Sequence, residues 1–293
     1  MLANKKNLAV TLLLGAILLQ IGAAKPCFAE ADAGKVVTFN GDCLVVAGDR
    51  RAILKRGDTI HVGDAIDVPD DAKLKLLMVD GSVLSLAGGS KMTIKNYEND
   101  PATGKRDVQL SFDKGLLRSV VAKAGGGSKF EVETATGVAA SRSTDWFVEA
   151  APGETTVSVL EGAVAVARRD GSANPASRPD KPKGVGVEKG TAKASQDILL
   201  TSGSAAEIGA GRGMPRVRQR TAEEFNALIE RGRIRFGWCQ CITDRTVIRA
   251  SCVPSAQGCA ATCGGATSSY LPDAHSICAA FFGEVAESGT QAR

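Results

Sequence analysis

Six cysteines crowd the C-terminal end of the chain: Cys239, Cys241, Cys252, Cys259, Cys263 and Cys278. Thiols at such spacings can pair as disulfides, hold a zinc ion, or exchange electrons as a redox pair. Cys239-x-Cys241 and Cys259-x3-Cys263 resemble ligand pairs, and His275 lies nearby in sequence, so a zinc knuckle is one alternative. Cys239-x-Cys241 as a redox pair is another, although the βαβ setting of a thioredoxin-like fold is missing around it. The choice depends on the compartment, which is read from the other end of the chain. Lys5 and Lys6 precede an apolar run from Leu8 to Ile21, then small residues and a candidate cleavage site at Cys27-Phe28-Ala29. That order describes a secretory signal peptide. The run is shorter than the about 20 residues of a membrane span. Ala24-Lys25-Pro26 also lacks the small aliphatic sequence that precedes a lipoprotein cysteine. Cleavage after Ala29 removes Cys27 and leaves seven of the eight cysteines. In an exported protein the clustered six are read as disulfides, with their connectivity open. Cys43 stands alone and is expected as a small buried hydrophobe rather than a reactive thiol.

A second group with chemical potential is Ser141-Arg142-Ser143-Thr144-Asp145, where hydroxyls, a guanidinium and a carboxylate are consecutive. Nucleophilic catalysis would need an aligned base. The two histidines, His61 and His275, come with no recognisable motif, so Arg142, Thr144 and Asp145 are candidate binding residues rather than catalysts. Arg142 is expected either as the buried partner of a carboxylate or as a surface contact. The glycines between Ala124 and Ser128 lack the helix or Lys-Ser/Thr signature of a phosphate loop. Asp58, Asp64, Asp67, Asp70 and Asp71 miss the calcium-loop spacing, and Gly-Asp turns account for most of them. No catalytic residue, metal site or cofactor is expected. The net charge of +4 is too small to imply nucleic acid.

The elements that would position these residues are mainly strands. Aromatics are 4% of the chain and glycine is abundant, so the core must come from Val, Leu, Ile and Ala in short strands with many turns. Lys35–Phe39 and Cys43–Val46 read as strands. Ala72–Val79 alternates Leu74, Leu76 and Met78 against Lys73 and Lys75. Asp80-Gly81 is a hairpin signal from which Val83–Leu86 returns. Met92 and Ile94 continue the alternation, and Tyr97–Arg106 reads as a polar loop. Leu110 and Phe112 form a short strand that Gly115 turns, with Leu116–Val121 running back. From Phe130 to Val166 three strand-like runs surround the Ser141–Asp145 motif.

The order of these motifs resembles the FecR (ferric-citrate regulator) domain family. The resemblance is carried first by Gly57-Asp58, Gly63-Asp64-Ala65-Ile66, Asp80-Gly81-Ser82 and Gly115-Leu116-Leu117-Arg118. It continues in Phe130–Thr136, Arg142-Ser143-Thr144-Asp145-Trp146-Phe147-Val148 and Val159-Leu160-Glu161-Gly162-Ala163-Val164. It covers roughly residues 35–191, with Ala135 where family members carry Pro and Ser143 where they carry Gly. It implies an all-β extracytoplasmic module, in its best-known members a sensor between an outer-membrane transporter and a cytoplasmic sigma factor. Only Met1–Asn7 precedes the apolar run, which leaves no room for a sigma-binding segment.

The expected organisation is a signal peptide (1–29), then a short-strand FecR-like β domain of sandwich or solenoid type (30–201, with a surface loop at 168–184). An Arg-rich linker (202–220) and a helix followed by a small disulfide-rich tail (221–293) complete it. Arg212, Arg216, Arg218 and Arg220 crowd the linker, which reads as solvated rather than polyanion-binding. Thr221-Ala222-Glu223-Glu224 is a capping box, Phe225, Leu228 and Ile229 give its helix one apolar face, and Gly232 ends it. So short a helix should dock on something. The expected function is a non-enzymatic binding or sensing module, periplasmic or secreted from a Gram-negative bacterium, with a partner protein or cell-envelope polymer as ligand. A structural envelope protein is the alternative, followed by a thiol-redox or hydrolytic enzyme. No membrane span is expected after cleavage, and the oligomeric state is left open.

Overall fold

The computed structural model describes residues 31–169, 198–211, 213–235, 237–243, 246–253, 256–264 and 266–271. The segment expected as a signal peptide (1–29), most of the expected 168–184 surface loop, His275 and Cys278 lie outside the described residues. The first half of the β domain contains β1 (Asp32–Asn40), β2 (Leu44–Ala47), β3 (Arg50–Ile53), β4 (Thr59–His61), β5 (Ala65–Asp67), β6 (Lys73–Met78), β7 (Val83–Leu86), β8 (Lys91–Asp100) and β9 (Lys105–Val120). The second half contains β10 (Lys129–Glu133), β11 (Gly137–Ser141), β12 (Asp145–Ala151), β13 (Glu154–Glu161), β14 (Ala163–Arg168), β15 (Ile198–Thr201), β16 (Ser204–Gly209) and β17 (Arg216–Gln219).

These strands pair into two sheets that share β9. Sheet A runs β4-β1-β6-β7-β9-β12-β13-β16-β17. Sheet B runs β3-β2-β5-β8-β9-β10-β11-β14-β15. All pairings are antiparallel except β9 with β10, which are joined by the crossover that carries the three glycines. Alternation drives the layering. On β6, Leu74, Leu76 and Met78 point into the core while Lys73 and Lys75 do not. Phe112, Phe130, Trp146, Val164 and Val166 from both sheets join them in one apolar cluster.

β9 departs from the sequence reading. Gly115 does not reverse the chain: residues 105–114 pair in sheet B with β8, and residues 115–120 pair in sheet A with β7 and β12. Gly115 has φ +102°, and a Cβ there would lie 2.3 Å from Ser90 Oγ. Only glycine lets the strand bend this close to its neighbour. Ser90 Oγ seals the bend, accepting from Leu116 N at 3.1 Å and donating to Leu116 O at 3.2 Å. Three more local readings change. Most of the Tyr97–Arg106 loop is strand, because β8 extends to Asp100 and β9 begins at Lys105. Five strands, not three, occupy Phe130–Val166. The 202–220 segment contains β16 and β17, which extend sheet A. Its arginines are not simply solvated: Arg218 pairs with Glu207 and Glu224, and Arg220 with Glu149.

Helix α1 (Ala222–Gly232) starts on the expected capping box, with Glu224 N donating to Thr221 Oγ1 and Thr221 N to Glu224 Oε2. Phe225 and Leu228 bury against Ala87, Leu116 and Phe147 on the outer face of sheet A, with the Phe147 and Phe225 rings 6.3 Å apart. Arg231 from the helix and Arg220 from the link between β17 and the helix both reach Glu149. Lys73 Nζ donates to the carbonyls of Arg233 (2.8 Å) and Glu230 (3.4 Å), where the helix dipole favours a cation. Burial and the Arg235 charge hold the Lys73 amine below its ordinary range, although Glu230 opposes them.

The tail forms a three-stranded sheet of order β19-β18-β20 from β18 (Gly237–Thr243), β19 (Thr246–Val253) and β20 (Thr267–Leu271), with α2 (Ala256–Cys263) between the last two. Disulfides join Cys239 to Cys259 and Cys241 to Cys263, fixing α2 on β18. Each typically contributes about 2–4 kcal/mol. Cys278 and the side chain of Cys252 fall outside what is described. Cys43 is free and buried, and burial, with the Asp42 and Asp71 charges, pushes its thiol up to about 12. Among the described residues no helix is long and apolar enough to cross a membrane.

Two outcomes follow from this packing. Phe225→Ala should cost about 3 kcal/mol. In hydrogen exchange the α1 amides should lose protection while those of β9 keep it. Native Cys43 should resist iodoacetamide at about pH 8 and react only in denaturant, since the thiolate is the nucleophile.

Candidate functional site: the Arg142 corner

β11 ends in sheet B at Ser141 and β12 begins in sheet A at Asp145. Arg142, Ser143 and Thr144 therefore form a corner that carries the chain from one sheet to the other. The next crossing, from β13 to β14, lies beside it at Gly162, which has φ +92° and would place a Cβ 2.9 Å from Ser143 O. A side chain at 162 would push the corner out of place.

The corner is anchored from inside the sandwich. Arg106, 3% exposed, reaches inward from β9 and donates through Nη2 to the backbone carbonyl of Arg142. Its Nη1 meets Asp80 Oδ2 at 2.5 Å and Ser82 Oγ at 3.3 Å, and its guanidinium carbon lies 5.7 Å from the centre of the Phe130 ring. Asp80 sits in the β6–β7 hairpin turn. It also accepts from Tyr97 Oη at 2.7 Å, Ser82 N at 2.9 Å and Ser82 Oγ at 2.7 Å. Burial alone would raise the Asp80 carboxyl, but donors from Tyr97, Ser82 and Arg106 hold it below the usual carboxylate range. Burial and the neighbouring Asp80 charge push the Tyr97 phenol up. Two further hydrogen bonds hold the corner: Val121 N to Thr144 O at 2.9 Å, and Thr144 Oγ1 to Ala163 O at 3.2 Å.

The three binding candidates thus part company. Asp145 makes a bidentate pair with Arg118 (3.0 and 2.6 Å), whose guanidinium lies over Phe147 beneath α1. Thr144 is buried and bonded to the backbone. Arg142 is exposed, as is Ser143, so Arg142 is not the buried partner of a carboxylate. Elsewhere, His61 lies between Asp32 (3.5 Å) and Asp64 (3.6 Å), and Thr134, Thr136 and Thr155 form a buried hydroxyl chain. Sequence reasoning missed Asp80, Tyr97 and Arg106 as a unit. Asp80 was legible only as a turn residue, while Tyr97 and Arg106 read as ends of a polar loop. A tyrosine in so polar a stretch was the one available signal.

Comparison with known proteins meets this geometry directly. Residues 64–165 match the FecR protein family. The FecR match opens just before β5 and closes within β14, so it takes in the shared strand β9, the buried Asp80–Arg106 pair and the Arg142 corner. Strands β1–β4 and β15–β17 and helix α1 lie outside it. Two solved structures of a protein from Parabacteroides distasonis ATCC 8503, proposed to be an anti-sigma factor, are similar at 18% identity and a TM-score of 0.39. The likeness covers 56% of this chain and 64% and 63% of those chains, less than two thirds of their length. No curated protein matches the chain.

Removing one member of the buried pair leaves the other charged and alone, a loss of about 3–5 kcal/mol. Asp80→Asn should show that loss in urea unfolding at about pH 7. The folded Asp80 pKa lies below the unfolded value of about 3.9, so its stabilisation is complete above that value and lost as the pH falls through the folded one. The gap between wild type and Asp80→Asn should therefore narrow as the pH falls below about 3.9.

Proposed function

We propose that the chain is a non-enzymatic binding and sensing module of the bacterial cell envelope that contacts a partner protein through the Arg142 corner. The observation that carries this reading is the FecR match over the strands that build the corner. Chemistry supports it. The polar groups that might have served catalysis are engaged structurally: Asp145 by Arg118, Thr144 by Ala163 O, and Asp80 by Arg106 and Tyr97. Arg142 and Ser143 face outward from a rigid frame, as a recognition loop on a β scaffold does. The disulfides of the tail and the signal segment in the sequence support an extracytoplasmic site of action.

The corner allows a clean test, because Arg106 holds the carbonyl of Arg142 and not its side chain. Arg142→Glu should leave stability within about 0.5 kcal/mol of wild type. A photo-crosslinking residue at Ser143 of the exported protein should give one discrete, protease-sensitive adduct in envelope fractions, lost in the Arg142→Glu background. An adduct indifferent to Arg142→Glu, or a protease-resistant adduct on an envelope polymer, would count against a protein partner at this corner. Substrate turnover abolished by Ser143→Ala would overturn the non-enzymatic reading.

A further inference from the structure

The two disulfides of the tail touch each other. Cys239 and Cys241 lie two apart on β18 and face the same side of the strand; Cys259 and Cys263 lie four apart on α2 and share one side of the helix. The four sulfurs are thereby gathered between one strand and one helix. Across the two bridges, Cys239 Sγ and Cys263 Sγ are 3.9 Å apart, a van der Waals contact between sulfurs of different disulfides. The sulfurs of Cys239, Cys259 and Cys263 all lie within 4.8 Å of one another. The surroundings of the four are unequal. Cys239, Cys241 and Cys259 are buried residues, whereas Cys263, the last residue of α2, is half-buried. Cys259 Sγ also lies 3.5 Å from the carbonyl of Ser269 on β20. A disulfide sulfur has no proton to donate, so that carbonyl becomes a hydrogen-bond partner only when Cys259 is a thiol.

We propose that the paired disulfides form a two-step thiol–disulfide relay that accepts electrons from a dithiol at Cys263 and delivers a free thiol at Cys259. In the first step a thiolate of the dithiol attacks Cys263 Sγ. The Cys241–Cys263 bond breaks, and its electron pair leaves on Cys241 Sγ, which takes a proton. The second thiol of the reductant resolves the mixed disulfide, leaving the reductant as a disulfide and Cys263 as a thiolate. In the second step the released Cys263 side chain rotates to bring its sulfur in line with the Cys239–Cys259 bond and attacks Cys239 Sγ, which lies 3.9 Å away in the bridged form. The Cys239–Cys259 bond breaks, and Cys259 Sγ leaves with the electron pair, is protonated, and donates to Ser269 O. Two electrons and two protons pass from the dithiol to the protein, and the product holds one bridge, Cys239–Cys263, with thiols at Cys241 and Cys259. Strand β18 and helix α2 stay tethered in both states, so the change alters the chemistry of the tail without releasing its fold.

The mature full-length chain carrying Cys241→Ser isolates the second step, because Cys263 then starts as a thiol beside an intact Cys239–Cys259 bridge. Peptide mapping after alkylation should find both Cys239–Cys259 and Cys239–Cys263 bridges. Cys259 should label at least about tenfold faster than in the Cys241→Ser/Cys263→Ser double variant, where Cys263 no longer supplies the attacking thiol. Labelling should also accelerate with pH toward the ordinary thiol range of about 8.5. Cys259 equally protected in both variants would overturn the relay, as would Cys263 pairing instead with Cys252 or Cys278. Wild-type protein treated with limiting dithiothreitol and quenched in acid gives the same answer without a substitution. A Cys239–Cys263 bridge is expected among its partly reduced species. Only the original bridges and fully reduced chain would sink the proposal.

Discussion

A buried guanidinium joins the two sheets at one end of the core. Arg106 starts in sheet B, meets the Asp80 carboxylate in a hairpin of sheet A, and holds the carbonyl at the corner where the chain passes between the sheets. Neither ion could be buried alone, since stripping water from one charge costs several kcal/mol without a partner and further hydrogen bonds. Asp80 is satisfied by Tyr97 and Ser82 as well as by Arg106, and Ser82 Oγ in turn accepts from Ala122 N. The network therefore ties β6, β7, β8, β9 and the β11–β12 corner into one polar plug beside the apolar core of the sandwich. Well-packed hydrocarbons often match a buried ion pair in stability, but they would not fix the hairpin, the crossover and the corner relative to one another.

This arrangement leaves the outward face of the corner, Arg142 and Ser143, exposed on a fixed backbone. Arg106 Nη2 and Thr144 Oγ1 both hold backbone at the corner, and Arg142 and Ser143 are displayed on what those groups hold. Precise positioning of a surface side chain needs a rigid support, and here the support is the hydrogen-bonded Asp80–Arg106–Tyr97 group below the loop. The opposite strategy is seen at α1. There an apolar contact of Phe225 and Leu228 on Phe147 is flanked by exposed and half-exposed ion pairs, which individually contribute little. The helix should come away from the sheet before the sandwich opens.

The tail solves a different problem. It has few large apolar residues, so covalent links replace a core. Placing two cysteines on one strand face and two on one helix face makes the links easy to form, and it also brings the links into contact with each other. That contact is a by-product of packing two bridges into a small module, and it gives the module a chemistry that neither bridge has alone.

Much of the fold was legible in the residues themselves. The Leu74, Leu76 and Met78 alternation, the Asp80-Gly81 turn, the Thr221–Glu224 capping box and the isolation of Cys43 are local signals, and local physics is enough to read them. The order of weak motifs from Gly57 to Val164 pointed to FecR, and the match over residues 64–165 agrees. Elsewhere local signals misled. Gly115 looks like a turn because glycine permits one, yet its positive φ bends a continuous strand from one sheet into the other, a choice set by how closely Ser90 packs. Arg216–Gln219 looks like a solvated linker because all four residues are exposed, yet its backbone completes a sheet edge. Disulfide connectivity and the role of Arg106 depend on residues distant in sequence meeting in space. The sequence alone determined which segments could be strands, where the helix would begin, and that Cys239, Cys241, Cys259 and Cys263 would be bridged. Only the tertiary structure decided which sheet each strand joins, which sulfurs pair, and that Arg142 is displayed at the surface while Arg106 is buried, because those outcomes rest on long-range packing and desolvation rather than on local pattern.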